Sequence, residues 1–370
     1  MRRAWKDNAP AWRLVAAPHG AARRDNLRVH ALRSAMTIAE PSAPPRAHHL
    51  PGGGFRNPWL DRESRFRDFL RWRAESVKSP PPRAPRRPVA LPRAEPAFSR
   101  PRAPADAISV TWIGHSTMLV QAGAVNILTD PIWSAAAGPM SWLGPRRYTA
   151  PGMPIDALPP IDLVLLSHDH YDHLDDVSVR RIAAAHPGAH WVTSLGVAPL
   201  LRARGVQRAT ELDWWDSIEA AGVRVTGTPA QHFSGRTPFD RMRRLWSGFA
   251  VEAAAHSIYF VGDSGYSPGF EEVGRRLGPF DITLMPIGAY EPRWFMAPMH
   301  IDPADAVRAF GEVNRGVTPG AVMVGMHWGT FRLTDEPVDE PPALARRAWE
   351  GSGRRAEDLW ILPHGGTRWR

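Results

Sequence analysis

The sequence predicts an α/β fold of four layers, two β-sheets face to face with helices covering both outer sides. Two observations predict it. Strand-like and helix-like segments recur in each half of a body that begins near Ala107, and strands outnumber helices in its early part. No short-period repeat runs through the 370 residues.

The elements can be justified in order. Residues 1–51 carry scattered Arg, Ala and Pro with weak periodicity and read as a disordered extension. Residues 52–105 follow as a separate N-terminal segment. Its turn-rich entry is Gly52-Gly53-Gly54-Phe55-Arg56-Asn57-Pro58-Trp59. From Trp59 to Val77, apolar residues at Trp59, Phe66, Leu70 and Val77, with Phe69 and Trp72 beside them, predict an amphipathic helix with Arg on its other face. Such a helix either packs on its own domain or lies on a membrane surface. Residues 79–104 are rich in Pro and Arg and read as an extended linker.

The body, residues 106–370, opens with strands at Ile108–Ile113, Thr117–Gln121 and Val125–Thr129, the last two joined by a turn at Ala122-Gly123. Ile161–Leu166 is short, apolar and rich in branched residues, as a buried strand is. A helix at Asp175–Ala185, a strand at Trp191–Ser194 and a helix at Val197–Arg204 follow. Further strands are read at Val223–Thr228, Ser247–Glu252, Ser257–Val261, Ile282–Pro286 and Ala321–Gly325, with helices at Phe270–Leu277 and Pro303–Val313.

Composition narrows the chemistry. Cysteine is absent, so disulfides and thiolate metal sites are excluded, and any metal must be held by His and carboxylate. The net charge of +9 hides an asymmetry: residues 1–105 hold 22 Arg and Lys against 8 Asp and Glu, and the rest hold 24 against 29. A basic segment of this kind meets anionic lipid or nucleic acid, or serves as a solubilising arm. No run of eighteen apolar residues and no apolar stretch near the N-terminus is present, so a transmembrane helix and a secretory signal are not expected. The expected location is cytoplasmic, peripheral on the inner membrane.

The chemistry centres on Ser167-His168-Asp169-His170-Tyr171-Asp172-His173, directly after the strand at Ile161–Leu166. Three imidazoles and two carboxylates within six residues suit zinc or a similar borderline metal better than a solvated loop. His168 and His170, two apart, point the same way in extended chain. Asp172 and His173 follow where the chain turns and can serve a second metal. Three later strands also end on a ligand type: Val223–Thr228 leads to His232, Ser257–Val261 to Asp263, and Ala321–Gly325 to His327. His115 reads as a turn residue or a contact to a ligand rather than a ligand. Asp130, before Pro131, either orients a ligand histidine or forms a turn.

The His-x-His-x-Asp-His pattern and its downstream partners resemble the dinuclear hydrolases of the metallo-β-lactamase superfamily. That resemblance implies one metal on His168, His170 and His232, a second on Asp172, His173 and His327, and Asp263 as the bridge. More closely, the chain resembles the N-acyl-phosphatidylethanolamine-hydrolysing phospholipase D family. The residues that carry this are Asn57-Pro58-Trp59, Gly114-His115-Ser116-Thr117, Ser167–Leu174, Leu212-Asp213-Trp214-Trp215, Gly262–Tyr266, Pro286–Met296 and His327–Phe331. The tail departs from it: His364-Gly365-Gly366-Thr367 stands where relatives tend to have Pro-Gly-Glu-Thr.

The resemblance implies two Zn²⁺ per chain, cleavage of a phospholipid phosphodiester, a homodimer, and an apolar groove facing the membrane, and the basic residues 1–105 make an anionic membrane surface the expected partner. It implies catalytic roles for Asp172 and Asp263 at the metals, and for His300 in proton transfer beside them. Trp294, Phe295, Tyr290 and Trp59 are the expected substrate-binding residues, within a wider set of aromatic residues near the site. A sugar-phosphate lactonase or a soluble phosphodiesterase could use the same ligands. Nucleic acid is a poor fit, since the body is acidic and no aromatic–basic interleave marks the site. A non-catalytic lipid binder would not need seven aligned ligands.

Overall fold

The first strands are continuous runs of β-branched and aliphatic residues: β1 (Ile108–Gly114), β2 (Thr117–Ala122) and β3 (Val125–Thr129) are buried along their whole length. Burial on both faces is what a sheet between a second sheet and covering helices requires. In β4 (Leu163–Leu166) the alternation is explicit. Leu163 and Leu165 join the core shared with the second sheet, while Val164 and Leu166 pack with Val179 and Ile182 of the helix outside.

The computed structural model describes residues 46–63, 66–78, 91–140, 143–253, 255–316 and 318–370. Most of the expected disordered extension, residues 1–45, and positions 79–90 of the linker lie outside the described residues, as does the side chain of Phe66.

Two seven-stranded mixed sheets form the body. The first has the order β14-β1-β2-β3-β4-β5-β6, completed by β5 (His190–Ser194), β6 (Ala209–Leu212) and β14 (Thr367–Trp369). In it β1, β2 and β3 are antiparallel, with Val110 opposite Val120 and Val120 opposite Ile127, and β3 to β6 are parallel. The second has the order β13-β12-β11-β10-β9-β8-β7. Its strands are β7 (Ser217–Ala220), β8 (Val223–Thr228), β9 (Gly248–Ala253), β10 (His256–Phe260), β11 (Ile282–Pro286), β12 (Val322–Met326) and β13 (Leu359–Trp360). Residues of both sheets, among them Val120, Ile127, Val225, Phe249 and Ile258, share one core.

Seven α-helices are described. α1 (Phe66–Lys78) precedes the body. α2 (Asp176–Ala185) and α3 (Ala198–Arg202) belong to the first half. α4 (Gly269–Arg276), α5 (Arg293–Met296), α6 (Pro303–Val313) and α7 (Pro341–Glu350) belong to the second. The boundaries of α2 and α6 follow their caps: Asp175 accepts from Ser178 N, and Asp302 from Ala304 N and Asp305 N. No helix of the described residues is long and apolar enough to cross a membrane.

The expected helix from Trp59 begins later, at Phe66. Trp59 sits in a turn and stacks on Trp214 at 5.8 Å, and the preceding Asn57 is committed to side-chain bonds away from any helix. Four strands and two helices were not legible. β6 and β7 are short and half polar, β13 has two residues, and β14 is exposed. α5 has four residues, and α7 opens on consecutive prolines, which read as a turn but fit the first turn of a helix.

The unusual tail packs tightly. His364 is buried, stacks on Trp112 at 4.0 Å and lies 3.2 Å from Thr330 Oγ1. Gly365 N donates to Trp112 O, and Trp112 N donates to Gly366 O, which leads β14 onto β1.

Candidate metal centre

The ligand-type residues lie just past the ends of β4, β8, β10 and β12, so one edge of the sandwich gathers all seven. Glycine makes the close approach possible at Gly262. Its φ is +67°, and a Cβ there would lie 2.9 Å from the Ser167 side chain. The next residue, Asp263, is thereby brought against the His168–His173 loop. His115, Asp130 and His327 are non-glycine residues at positive φ, a strained state that a packed surrounding must hold.

Two ligand sets converge. In the first, His168 Nε2 is 2.8 Å and His232 Nε2 3.2 Å from His170 Nδ1. In the second, Asp172 Oδ2 lies 3.3 Å from His173 Nε2 and 3.6 Å from His327 Nε2. Asp263 Oδ2 stands between the sets, 3.0 Å from His327 Nε2, 3.2 Å from His173 Nε2 and 3.8 Å from His232 Nε2. Yet His173 Nε2, His327 Nε2 and Asp263 Oδ1 are buried without a hydrogen bond. Buried nitrogens and carboxylate oxygens that converge without pairing fit a cation between them.

The protons are arranged accordingly. Asp130 Oδ1 accepts from Ser167 N at 2.7 Å, and its Oδ2 accepts from Ser167 Oγ at 2.6 Å and from His173 Nδ1 at 2.5 Å. Ser167 Oγ in turn accepts from His168 Nδ1 at 2.9 Å, and Met299 O accepts from His232 Nδ1 at 2.9 Å. Each proton held at Nδ1 leaves the Nε2 lone pair facing the centre. Asp130 is thus an orienting carboxylate. His115 acts similarly: its Nε2 donates to Asp172 Oδ2 at 2.9 Å, and burial lowers its pKa to about 3, so it is a neutral donor.

Burial and neighbouring imidazoles hold His168 well below the usual histidine pKa. Burial also keeps His170 low and His232 well below, so these rings are neutral at pH 7, the form in which imidazole can hold a metal. Burial would lower His173 and His327 as well, but the facing carboxylates prevail, raising His173 well above the usual value and His327 to about 9. Burial opposes ionisation of Asp172 and Asp263, yet neighbouring imidazoles, His173 first, hold both well below the carboxylate range. The second set therefore gathers negative charge that a cation would neutralise.

The centre opens into a cavity of about 830 Å³. Phe69 and Trp72 of α1, Phe233, and Phe295, Met296 and Met299 form its apolar lining, and Arg236 and Arg241 its basic lining. His300 lines it too, with Nδ1 3.9 Å from Asp263 Oδ2 and without a hydrogen bond. Burial lowers the His300 pKa to about 4, so the ring is neutral.

Of the expected substrate-binding residues, only Phe295 lines this cavity. Trp294 carries the Arg71 guanidinium 4.4 Å over its ring and borders a separate polar cavity with Arg62 and Asp68. Tyr290 is buried, with its hydroxyl donating to Glu340 at 2.6 Å, and Trp59 stacks on Trp214. Trp294 and Phe295 part because they are successive residues on one helical turn, whose side chains diverge. Phe69 and Trp72 were not singled out as lining, although the helical period placed them beside the main stripe.

His48 and His49 also converge, on Asp213, at 2.7 and 2.9 Å. That carboxylate further faces Arg46 and accepts from Trp214 N, so donors already satisfy it, and the group fastens residues 46–49 to the body.

A β-lactamase superfamily domain model matches residues 125–328. An N-acyl-phosphatidylethanolamine-hydrolyzing phospholipase D of Caenorhabditis elegans is 41% identical over 242 residues, 62% of this chain and 67% of that protein. An uncharacterized protein of Mycobacterium tuberculosis is 41% identical over 65% of this chain, and the match spans 63% of its length. Among solved structures, a metallo hydrolase from Ignicoccus hospitalis superposes with a TM-score of 0.52 at 21% identity, over 71% of this chain and 98% of that one, a likeness of fold.

Proposed function

Because the chain belongs to the β-lactamase superfamily and, within it, to the N-acyl-phosphatidylethanolamine-hydrolysing phospholipase D family, we propose that it is a metal-dependent phosphodiesterase that hydrolyses N-acyl-phosphatidylethanolamine to phosphatidic acid and an N-acylethanolamine. One observation carries the reading: His/Asp groups that could each hold a metal ion open into an apolar-walled cavity of about 830 Å³, of a size for a lipid-like ligand. The basic lining suits an anionic headgroup at Arg241, while Arg236 is held by Asp169 O, Leu174 O and Asp176.

Two divalent cations, zinc by the donor set, would be held by His168, His170 and His232 and by Asp172, His173 and His327, with Asp263 between, supplying water activation and charge stabilisation at phosphorus. The protein fixes the rest. Asp130 and Ser167 hold the ligand tautomers, and His115 pins the Asp172 carboxylate. His300, neutral and unpaired at Nδ1 beside Asp263, can take up the proton that the attacking water gives up and pass it to the leaving alkoxide. No nucleophilic side chain is required.

Turnover of the purified, metal-loaded protein on N-acyl-phosphatidylethanolamine in detergent tests the reading, with a sugar-phosphate lactone and a nucleic acid as controls. Release of N-acylethanolamine and phosphatidic acid is the expected result. Turnover of the lactone alone would assign the centre to a different ester.

Residues around the cavity also suit a bilayer surface. Phe69 and Leu70 on α1 and Phe239 beside the lining residue Pro238 are exposed, Phe239 at 91%. Replacing Leu70 and Phe239 together by Ser is expected to lower turnover on anionic vesicles while leaving a short soluble phosphodiester nearly unaffected. Wild-type vesicle binding should weaken with salt, because exposed charges are screened beyond about 8–10 Å at ordinary ionic strength. Equal losses on both substrates would show that these side chains serve the fold alone.

A further inference from the structure

We infer that Asn57, in the N-terminal segment ahead of the body, is a positioning residue for the metal ligand His232; the inference rests on the metal centre described above. His232 takes the support of its peptide from the N-terminal segment. It lies four residues beyond the end of β8, where the sheet no longer pairs its backbone. A buried peptide without a partner would be costly and free to tilt the ring. Asn57 supplies both missing bonds: its Nδ2 donates to His232 O at 2.8 Å, and its Oδ1 accepts from His232 N at 3.1 Å.

The carboxamide is the side chain suited to this, since it offers a donor and an acceptor side by side as a peptide group does. Glu63 sets its orientation, accepting from Asn57 N and from the second Nδ2 hydrogen, both at 2.9 Å. With Met299 O holding Nδ1 at 2.9 Å, His232 is fixed at its backbone and at its ring. Its Nε2 is thereby kept 3.2 Å from His170 Nδ1. The Asn57-Pro58-Trp59 motif thus acquires a role in the chemistry although it lies more than a hundred residues from any ligand.

The segment that carries Asn57 is fastened independently of it. His48 and His49 bond Asp213, Phe55 N donates to Met242 O at 2.8 Å, and Trp59 stacks on Trp214. Removing the Asn57 side chain should therefore disturb His232 without undocking the chain around it.

The test is a chelator competition on full-length, zinc-loaded protein, with cobalt spectra as a second readout. Wild type should release two equivalents. In Asn57→Ala one equivalent should bind about 10–100-fold more weakly, the loss typical of removing a group that holds a metal ligand. The other equivalent should keep its affinity, and the cobalt spectrum should change for the weakened site only. Glu63→Gln, which keeps both Asn57–His232 bonds but loosens their orientation, should give a smaller loss at the same equivalent. It also serves if the alanine variant does not fold. Unchanged affinities in both variants, or an equal weakening of both equivalents, would overturn the positioning role. A lowered melting temperature with both affinities intact would overturn it too. Wild-type protein that takes up no metal would instead overturn the metal centre itself.

Discussion

Asp263→Asn is expected to cost the protein its metal and its activity together. One oxygen of this carboxylate faces His327, His173 and His232 at 3.0, 3.2 and 3.8 Å, so it touches both ligand sets. Its other oxygen is buried without a hydrogen bond. Asparagine keeps the shape but removes the charge and turns an amide N–H₂ toward imidazole nitrogens that must present lone pairs. Metal analysis should show a loss from about two ions per chain, and turnover should fall by at least about 10²–10³-fold, the effect of deleting one strong electrostatic stabiliser. The fold should survive, because Asp263 takes no part in a strand ladder and the core beneath it is apolar. His168→Ala should behave the same way through the other ligand set. Unchanged metal content in both variants would remove the ligand assignment.

The centre was legible because its residues report directly on chemistry. Each ligand-type residue follows a strand that is visible in the sequence, and imidazole–carboxylate clusters have few structural uses. The strands around it were legible for a related reason: burial on both faces leaves uninterrupted runs such as Leu163–Leu166. What failed was whatever depends on contacts distant in sequence. Trp294 precedes Phe295 in α5, yet of the two only Phe295 lines the cavity, since a single helical turn aims successive side chains apart, and Tyr290 lies ahead of that helix with its hydroxyl on Glu340. β14 pairs with β1 through three residues of mixed polarity, which carry no periodic signal.

The N-terminal segment was misread in a more informative way. Its apolar pattern from Trp59 onward predicts a helix that packs on its own domain or lies on a membrane surface. Trp59 instead anchors a turn, α1 begins seven residues later, and Phe69 and Trp72 from that helix line the cavity. Trp72 also packs on Phe295 at 5.3 Å and donates from Nε1 to Asp335 at 2.6 Å. The segment before the body therefore contributes both to the apolar wall and, through Asn57, to the metal side of the site. A body beginning at residue 106 would hold all seven ligands and lack both contributions.

His300→Ala is expected to separate proton transfer from metal binding. The ring is held near the centre without serving the ligand network: His300 N donates to Met296 O, Arg293 Nη1 donates to His300 O, and neither bond depends on the imidazole. Its Nδ1 lies 3.9 Å from Asp263 and 4.9 Å separates its ring centre from that of His232, so it also stands in a convergent group with those two residues. A ligand role and a proton-transfer role give different results. If His300 moves the proton, the alanine variant keeps both metal ions, and kcat falls by about 10²–10⁴-fold with a small change in KM. The loss should shrink on a phosphodiester with an acidic leaving group such as p-nitrophenol, because the phenolate departs without a proton. A missing metal ion in the variant would make His300 a ligand. Wild-type turnover on the lipid, or a loss that is the same for both leaving groups, would end its assignment as the proton donor.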